Sequence, residues 1–287
     1  MKILYYETRN KEKCLNWPTN DNIRWKVRSK TLKKSHYKFI IHTDYMSPNT
    51  GEGNTIPGGM IMLDESRIVK FNSRRHAGVA PVRTIPGHFA TNHSHINYYI
   101  DMTFTKSRVT EAKQAAHALA QQYMHNTIVD TIVCLDGTKV IGAFLAQELM
   151  EAGFLSMNTH QSIYVIQPEY VTSSQMLFRD NVVPMVKNKN VILLMASVST
   201  GVSVRRGAEC VDYYGGILQG VSCLFSAVDE VVLPLQKGDT RMTVNTLFCP
   251  DDIPGYSSYS RHDCPFCKKG HRVEALVNSF GYSEFMV

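Results

Sequence analysis

Val191-Ile192-Leu193-Leu194-Met195-Ala196-Ser197-Val198-Ser199-Thr200-Gly201-Val202-Ser203 is the stretch that decides the fold class. Its first half is a continuous apolar run, as a strand covered on both faces of a parallel sheet requires; a strand with one wet face would alternate. Its second half is a hydroxyl-rich loop, and residues 202–214 after it read as a helix ended by Gly215-Gly216. The same order occurs upstream. Residues 128–135 read as a strand, Asp136-Gly137-Thr138-Lys139 as a loop, and the following residues as a helix with Ile141, Leu145 and Leu149 on one face and Gly153 at its end. An earlier helix carries Val109, Ala112, Ala115, Ala116, Leu119 and Tyr123 on one stripe, with Ser107 as its N-cap. Further strands are expected at residues 162–166, 221–225 and 230–235. Strand, loop, helix twice over predicts an α/β fold, a parallel β-sheet flanked by helices.

Around this centre the chain divides into three parts. Residues 1–85 alternate short apolar runs (38–42, 60–63, 67–71) with Pro/Gly turn clusters and predict a small β-rich, basic extension. Residues 86–248 hold the α/β domain, and residues 249–287 a short tail containing Cys264-Pro265-Phe266-Cys267. The first 40 residues carry eleven Lys or Arg against three acids, interleaved with Trp17, Trp25 and Tyr37; the remainder has 20 basic against 22 acidic residues. Such a face contacts nucleic acid or is simply solvated, and the solvated reading is preferred because charge alone discriminates poorly.

Of the 287 residues 44% are hydrophobic and 20% charged, which excludes a disordered or collagen-like chain. No run of about 18 apolar residues is present, so no membrane span is expected. The residues after Met1 form no apolar signal core, so a cytoplasmic location is expected. Seven cysteines are an odd number, and Cys134 and Cys223 lie inside apolar runs, so no disulfide framework is expected.

The loop at residues 197–203 has the chemistry of an anion site. Unpaired N–H groups at a helix start point outward, Gly201 permits close backbone approach, and Ser199, Thr200 and Ser203 add hydroxyl donors. The alternative is an ordinary strand-to-helix turn. A β-branched residue at position 201 is expected to block the anion while leaving the fold intact.

Here the sequence resembles the type I phosphoribosyltransferases, most closely their orotate branch. In that family an apolar run leads to two acids, then to a Ser/Thr-Thr-Gly turn and another hydroxyl residue. Ser199, Thr200, Gly201 and Ser203 match the turn, whereas Met195 and Ala196 stand where the acids would be. Residues 87–101, with Tyr98-Tyr99 and Asp101, are similar to the family's base-covering segment, and Asp136-Gly137-Thr138-Lys139 to its pyrophosphate loop. Strand packing is the alternative for one of the two tyrosines, and a solvated first turn for Lys139. The resemblance implies transfer of ribose 5-phosphate from phosphoribosyl pyrophosphate to a nitrogenous base, an orotate-like pyrimidine first, with Mg²⁺ and a homodimer. It implies substrate contacts from Ser197, Val198, Ser199, Thr200, Gly201, Val202, Ser203, Asp136, Gly137, Thr138, Tyr98 and Tyr99. Cationic help in catalysis falls to Lys139 and to Arg179, the latter in the segment 167–190 where the family carries a mobile loop. Because the acids are missing, the alternative is a non-catalytic relative that senses a nucleotide or phosphoribosyl pyrophosphate.

Cys264 and Cys267 place two thiolates on one tight turn. Either they bind a structural Zn²⁺, completed by Cys249 and His271 (or His262), or they form a reduced or disulfide-linked turn. Loss of such a site is expected to loosen only the tail and to touch ribose-phosphate affinity modestly.

Overall fold

The computed structural model describes residues 65–153, 156–159, 162–171, 175–236 and 238–284, which belong to the second of two compact units, Met1–Pro57 and Gly58–Val287. The expected basic face and the runs at 38–42 and 60–63 lie outside the described residues. In chain order the elements are β1 (Val69–Phe71), β2 (Val82–Ala90), β3 (His95–Asp101), α1 (Thr103–Ser107), α2 (Val109–Ala120), β4 (Thr131–Cys134), α3 (Lys139–Glu151) and β5 (Tyr164–Ile166). They continue with β6 (Glu169–Tyr170), β7 (Met176–Leu177), β8 (Asn190–Val198), α4 (Val202–Tyr213), β9 (Ile217–Ser226), β10 (Glu230–Leu235) and β11 (Gly238–Phe248). Last come β12 (Ser258–Tyr259), α5 (Pro265–Lys268), β13 (Ala275–Asn278) and β14 (Gly281–Glu284).

The apolar run is β8, at the heart of a six-stranded sheet ordered β10-β11-β9-β8-β4-β5. Its pairings are parallel except for the β10–β11 hairpin. A period of two is hidden inside the continuous run. Ile192, Leu194 and Ala196 pack with Ala112, Ala115 and Leu119 of α2 and Ile141, Leu145 and Leu149 of α3. Val191, Leu193 and Met195 pack with Val204, Ala208 and Val211 of α4. Both faces are buried, which is why no polar residue interrupts the run from Val191 to Ala196. The α/β fold with helices on both faces of a mainly parallel sheet is as the sequence predicts.

Two local expectations change. Ser107 does not cap α2: it ends α1, its hydroxyl donating to Thr103 O at 2.5 Å, and Arg108 occupies the N-cap position. The C-terminal segment is no detached tail. A second sheet, ordered β12-β3-β2-β13-β14 with β1 also on β2, takes strands from both sides of the boundaries expected at 85 and 248. β13 runs parallel to β2, pairing Ala275 with Phe89 and Leu276 with Ala90. Ile85, Phe89, Ile96, Tyr99, Ala275 and Val277 bury one another in a small core of their own.

Candidate functional site

From β4 the chain crosses to β5 on one side of the sheet, and β8 then pairs with the opposite side of β4. The two strand ends therefore send their loops apart and leave a crevice, the place where open α/β sheets bind ligands. From β4 comes the loop of Asp136 and Gly137, both in left-handed backbone conformation (φ 55° and 77°). From β8 comes the hydroxyl-rich turn, whose Gly201 (φ 78°) stands immediately before Val202, the first residue of α4.

A cleft of about 160 Å³ opens over this turn. Residues 196–204 line it from the larger sheet, Tyr99, Met102, Thr103 and Lys106 from the end of β3 and from α1, and residues 277–281 from the β13–β14 hairpin. All seven residues expected from 197 to 203 are thus brought together. Gly201 is also packed tightly: a Cβ there would lie 2.9 Å from Val231 Cγ1, in a backbone conformation that side chains disfavour. A β-branched residue at 201 would therefore strain the fold, contrary to the expectation that it would spare it.

Among the described residues Lys106 is the one Lys or Arg that lines the cleft. Its ammonium donates to Asp136 O at 3.2 Å and to Ser279 O, so it ties the β4 loop to the C-terminal hairpin. Two acceptors leave one of its three N–H donors for a ligand. Burial lowers its pKa, opposed by the charges of Asp136 and Asp101. Burial conversely raises the Asp136 pKa, against hydrogen bonds from the Ser279 hydroxyl and the Ala196 N–H and the charge of Lys106. Ser197 Oγ lies 3.5 Å from Ser279 Oγ, so the three loops meet around one ammonium.

The other expected residues separate. Tyr99 is buried and lines the cleft, its pKa raised by burial and by Asp101. Tyr98 faces the other side of β3, edge-on to Phe71, its hydroxyl donating to Pro254 O at 3.4 Å. Strand alternation allows only one of the pair into the site. Thr138 is buried and fastens the loop to the sheet through Leu135 O (2.7 Å) and Leu194 O (3.1 Å). Gly137 faces Lys106 and Phe280. Lys139 is exposed at the start of α3 and does not line the cleft. Arg179 is exposed and donates to Glu169 at 2.9 and 2.6 Å, likewise away from the cleft lining. Tyr170 of the 167–190 segment is half-exposed and likewise outside the cleft lining, and its pKa is pushed up to about 12 by burial and by the charge of Asp136.

Met195 and Ala196 are fully buried, and among the described residues no Asp or Glu lines the cleft. The donor set therefore does not fit a protein-held Mg²⁺, which takes oxygen ligands from one or two carboxylates.

The residues that could hold a metal are a different group from the expected one. Cys264 and Cys267 are gathered with His88 and His95, all four donor atoms lying within 4.8 Å of one another. Cys249 is buried at the end of β11, and His271 offers its carbonyl to His88 Nδ1 (3.1 Å) while its ring packs edge-on to Phe266. His262 is exposed and outside the group. The six described cysteines are free thiols. Lys106, Ser279, His88 and His95 are not expected from the sequence patterns; His88 and His95 lie in the segment 87–101, whose clustered histidines are the available signal.

The class these features define is an α/β protein with a candidate anion-binding turn at the crevice of a mainly parallel sheet. Among solved structures the chain is similar to orotate phosphoribosyltransferase of Mycobacterium tuberculosis H37Rv, crystallised with Fe(III) dicitrate (11% identity, 60% of this chain and 93% of that one, TM-score 0.39). It is also similar to orotate phosphoribosyltransferase of Aeropyrum pernix (13%, 58% and 88%, TM-score 0.40) and to adenine phosphoribosyltransferase of Rhodothermus marinus (12%, 64% and 94%, TM-score 0.37). No family model matches the chain, and no curated protein matches it. No helix among the described residues is long and apolar enough to cross a membrane.

Proposed function

We propose that the chain is a phosphoribosyltransferase, transferring ribose 5-phosphate from phosphoribosyl pyrophosphate to a nitrogenous base, a pyrimidine of the orotate type first. The observation that carries this reading is the convergence of the 197–203 turn, Lys106 and Tyr99 on one cleft at the sheet's crevice. The 5-phosphate sits on the first N–H groups of α4 and the hydroxyls of Ser199, Thr200 and Ser203, where the helix dipole adds positive potential. Lys106 faces the diphosphate. In the reaction the C1–O bond to pyrophosphate breaks, the electron pair leaves with pyrophosphate, and a base nitrogen forms the new bond to C1. The protein's part is to hold the leaving charge and keep water from the cationic ribose. A Mg²⁺ ion enters as part of the diphosphate ligand.

A second reading is favoured by the buried Met195 and Ala196: the chain binds the phosphoribosyl compound without turning it over. Charge-assisted hydrogen bonds to the ribose hydroxyls are roughly twice as strong as neutral ones, and no cleft-lining carboxylate supplies them. Calorimetry with phosphoribosyl pyrophosphate and Mg²⁺, followed by pyrophosphate release with a panel of bases, separates the readings. Binding with base-dependent release is expected; binding without release moves the protein to the second reading, and no binding removes both.

A further inference from the structure

We propose that His88, His95, Cys264 and Cys267 form a structural zinc site that clamps the smaller sheet to the C-terminal segment, independently of what the cleft binds. Four of the six donor–donor distances are close to the edges of a tetrahedron, and the other two are within 4.8 Å. With Zn–N near 2.0 Å and Zn–S near 2.3 Å, tetrahedral edges are about 3.3 Å for N···N and about 3.6 Å for N···S. His88 Nε2 and His95 Nδ1 are 3.0 Å apart; Cys264 Sγ is 3.4 Å and Cys267 Sγ 3.7 Å from His88 Nε2, and Cys267 Sγ is 3.3 Å from His95 Nδ1.

The protonation pattern is that of a ligand set. His88 Nδ1 faces two carbonyls, His271 O at 3.1 Å and Arg272 O at 3.2 Å, so it carries the proton and Nε2 presents its lone pair to the cluster. Such an outer hydrogen bond fixes the tautomer and the ring plane of a zinc-ligating histidine. Phe266 stacks on the same ring (centroids 5.2 Å apart) and restricts its rotation. Cys264 is fully buried and His88 nearly so, while His95 is half-buried and Cys267 exposed, so two of the four donors are held out of water, where a cation between them offsets the cost of their desolvation.

The chain is shaped to deliver these donors. Pairing between β2 and β3 shifts register between Pro86 and Phe89, an irregularity that sets His88 apart from the regular alternation of the strand. On the other side Cys264 stands at the N-cap of α5 and Cys267 within its single turn, and Gly270 (φ 75°) reverses the chain after it. Two thiolates with two imidazoles in a closed tetrahedron select zinc over the oxygen-seeking Mg²⁺ and Ca²⁺.

The test uses the full chain, purified without chelator and assayed by elemental analysis, then stripped and refilled with Co²⁺. We expect about one zinc per chain, and in the cobalt form the visible bands of a tetrahedral site with thiolate-to-metal charge transfer. Cys264→Ser with Cys267→Ser should lower zinc to less than about a tenth of an equivalent, whereas Cys249→Ser and His271→Ala should retain it. His95→Cys, which keeps four donors and so guards against mere unfolding, should hold cobalt with strengthened charge-transfer bands. The proposal is overturned if zinc is far below stoichiometric with Cys264 and Cys267 freely alkylated, if the cobalt spectrum ignores His95→Cys, or if Cys249→Ser removes the metal.

Discussion

Lys106 shows at the scale of one residue how the site differs from the sequence reading of it. Lys139 ended the expected loop and was the natural cation, yet it is exposed and does not line the cleft, while α1 brings Lys106 onto Asp136 and Ser279. No local pattern announces this, because the three residues that meet are 30 and 173 positions apart in the chain. A pH prediction follows from its surroundings. A phosphate ligand favours the charged lysine, and burial lowers the Lys106 pKa below the ordinary lysine value of 10.5. Above pH 7, where the phosphate is already largely a dianion, affinity should hold and then fall as pH rises through the lowered Lys106 pKa, before 10.5 is reached. Calorimetry from pH 7 upward checks this. Lys106→Met should bind more weakly and lose that decline; a decline that persists in the variant would assign it to another group.

Among the elements, most of those of the larger sheet were legible from their own patterns, β11 (Gly238–Phe248) being the strand that was not expected. β8 reads as a strand from its unbroken apolar run, α3 from its apolar face and terminal glycine, and α4 from the loop before it and the glycine pair that ends it. β13 has no comparable signal: four residues long, it is a strand because β2 lies beside it. Packing between α4 and the sheet makes a separate prediction. Gly207 sits where a Cβ would come within 2.9 Å of Leu193 Cδ2 and 3.2 Å of Leu135 Cδ1, so the helix lies close on β8 and the end of β4. Gly207→Ala gains about 1 kcal/mol in helix propensity and meets only the mobile ends of two leucines, so a near-neutral result is expected. Gly207→Val adds two branches against the same contacts and should cost about 1–3 kcal/mol. Urea denaturation of the pair measures the difference; equal midpoints would mean that α4 shifts outward without cost.

On the scale of the whole molecule, the C-terminal hairpin turns an expected appendage into a wall of the cleft. β13 gives Ala275 and Val277 to the small core with Ile85, Phe89, Ile96 and Tyr99, and the turn beyond it gives Ser279 to Lys106 and Asp136. The clusters on either side of β8 take no residue from β13 or β14. A chain ended after residue 274 should therefore lose the smaller sheet and keep the larger one. Hydrogen exchange is the measurement: amides of β2 and β3 should lose protection, those of β8 and β9 should retain it, and phosphoribosyl pyrophosphate affinity should drop at least tenfold, about 1.4 kcal/mol. This replaces the expectation that damage near the Cys pair stays confined to the tail with little effect on the ligand. Protection kept in β2 and β3 would mean that β13 only decorates a sheet stable without it. Protection lost in β8 as well would mean that the two sheets fold as one cooperative body, with Val82 and Met102, which pack beside Ile192 and Leu194, carrying the coupling between them.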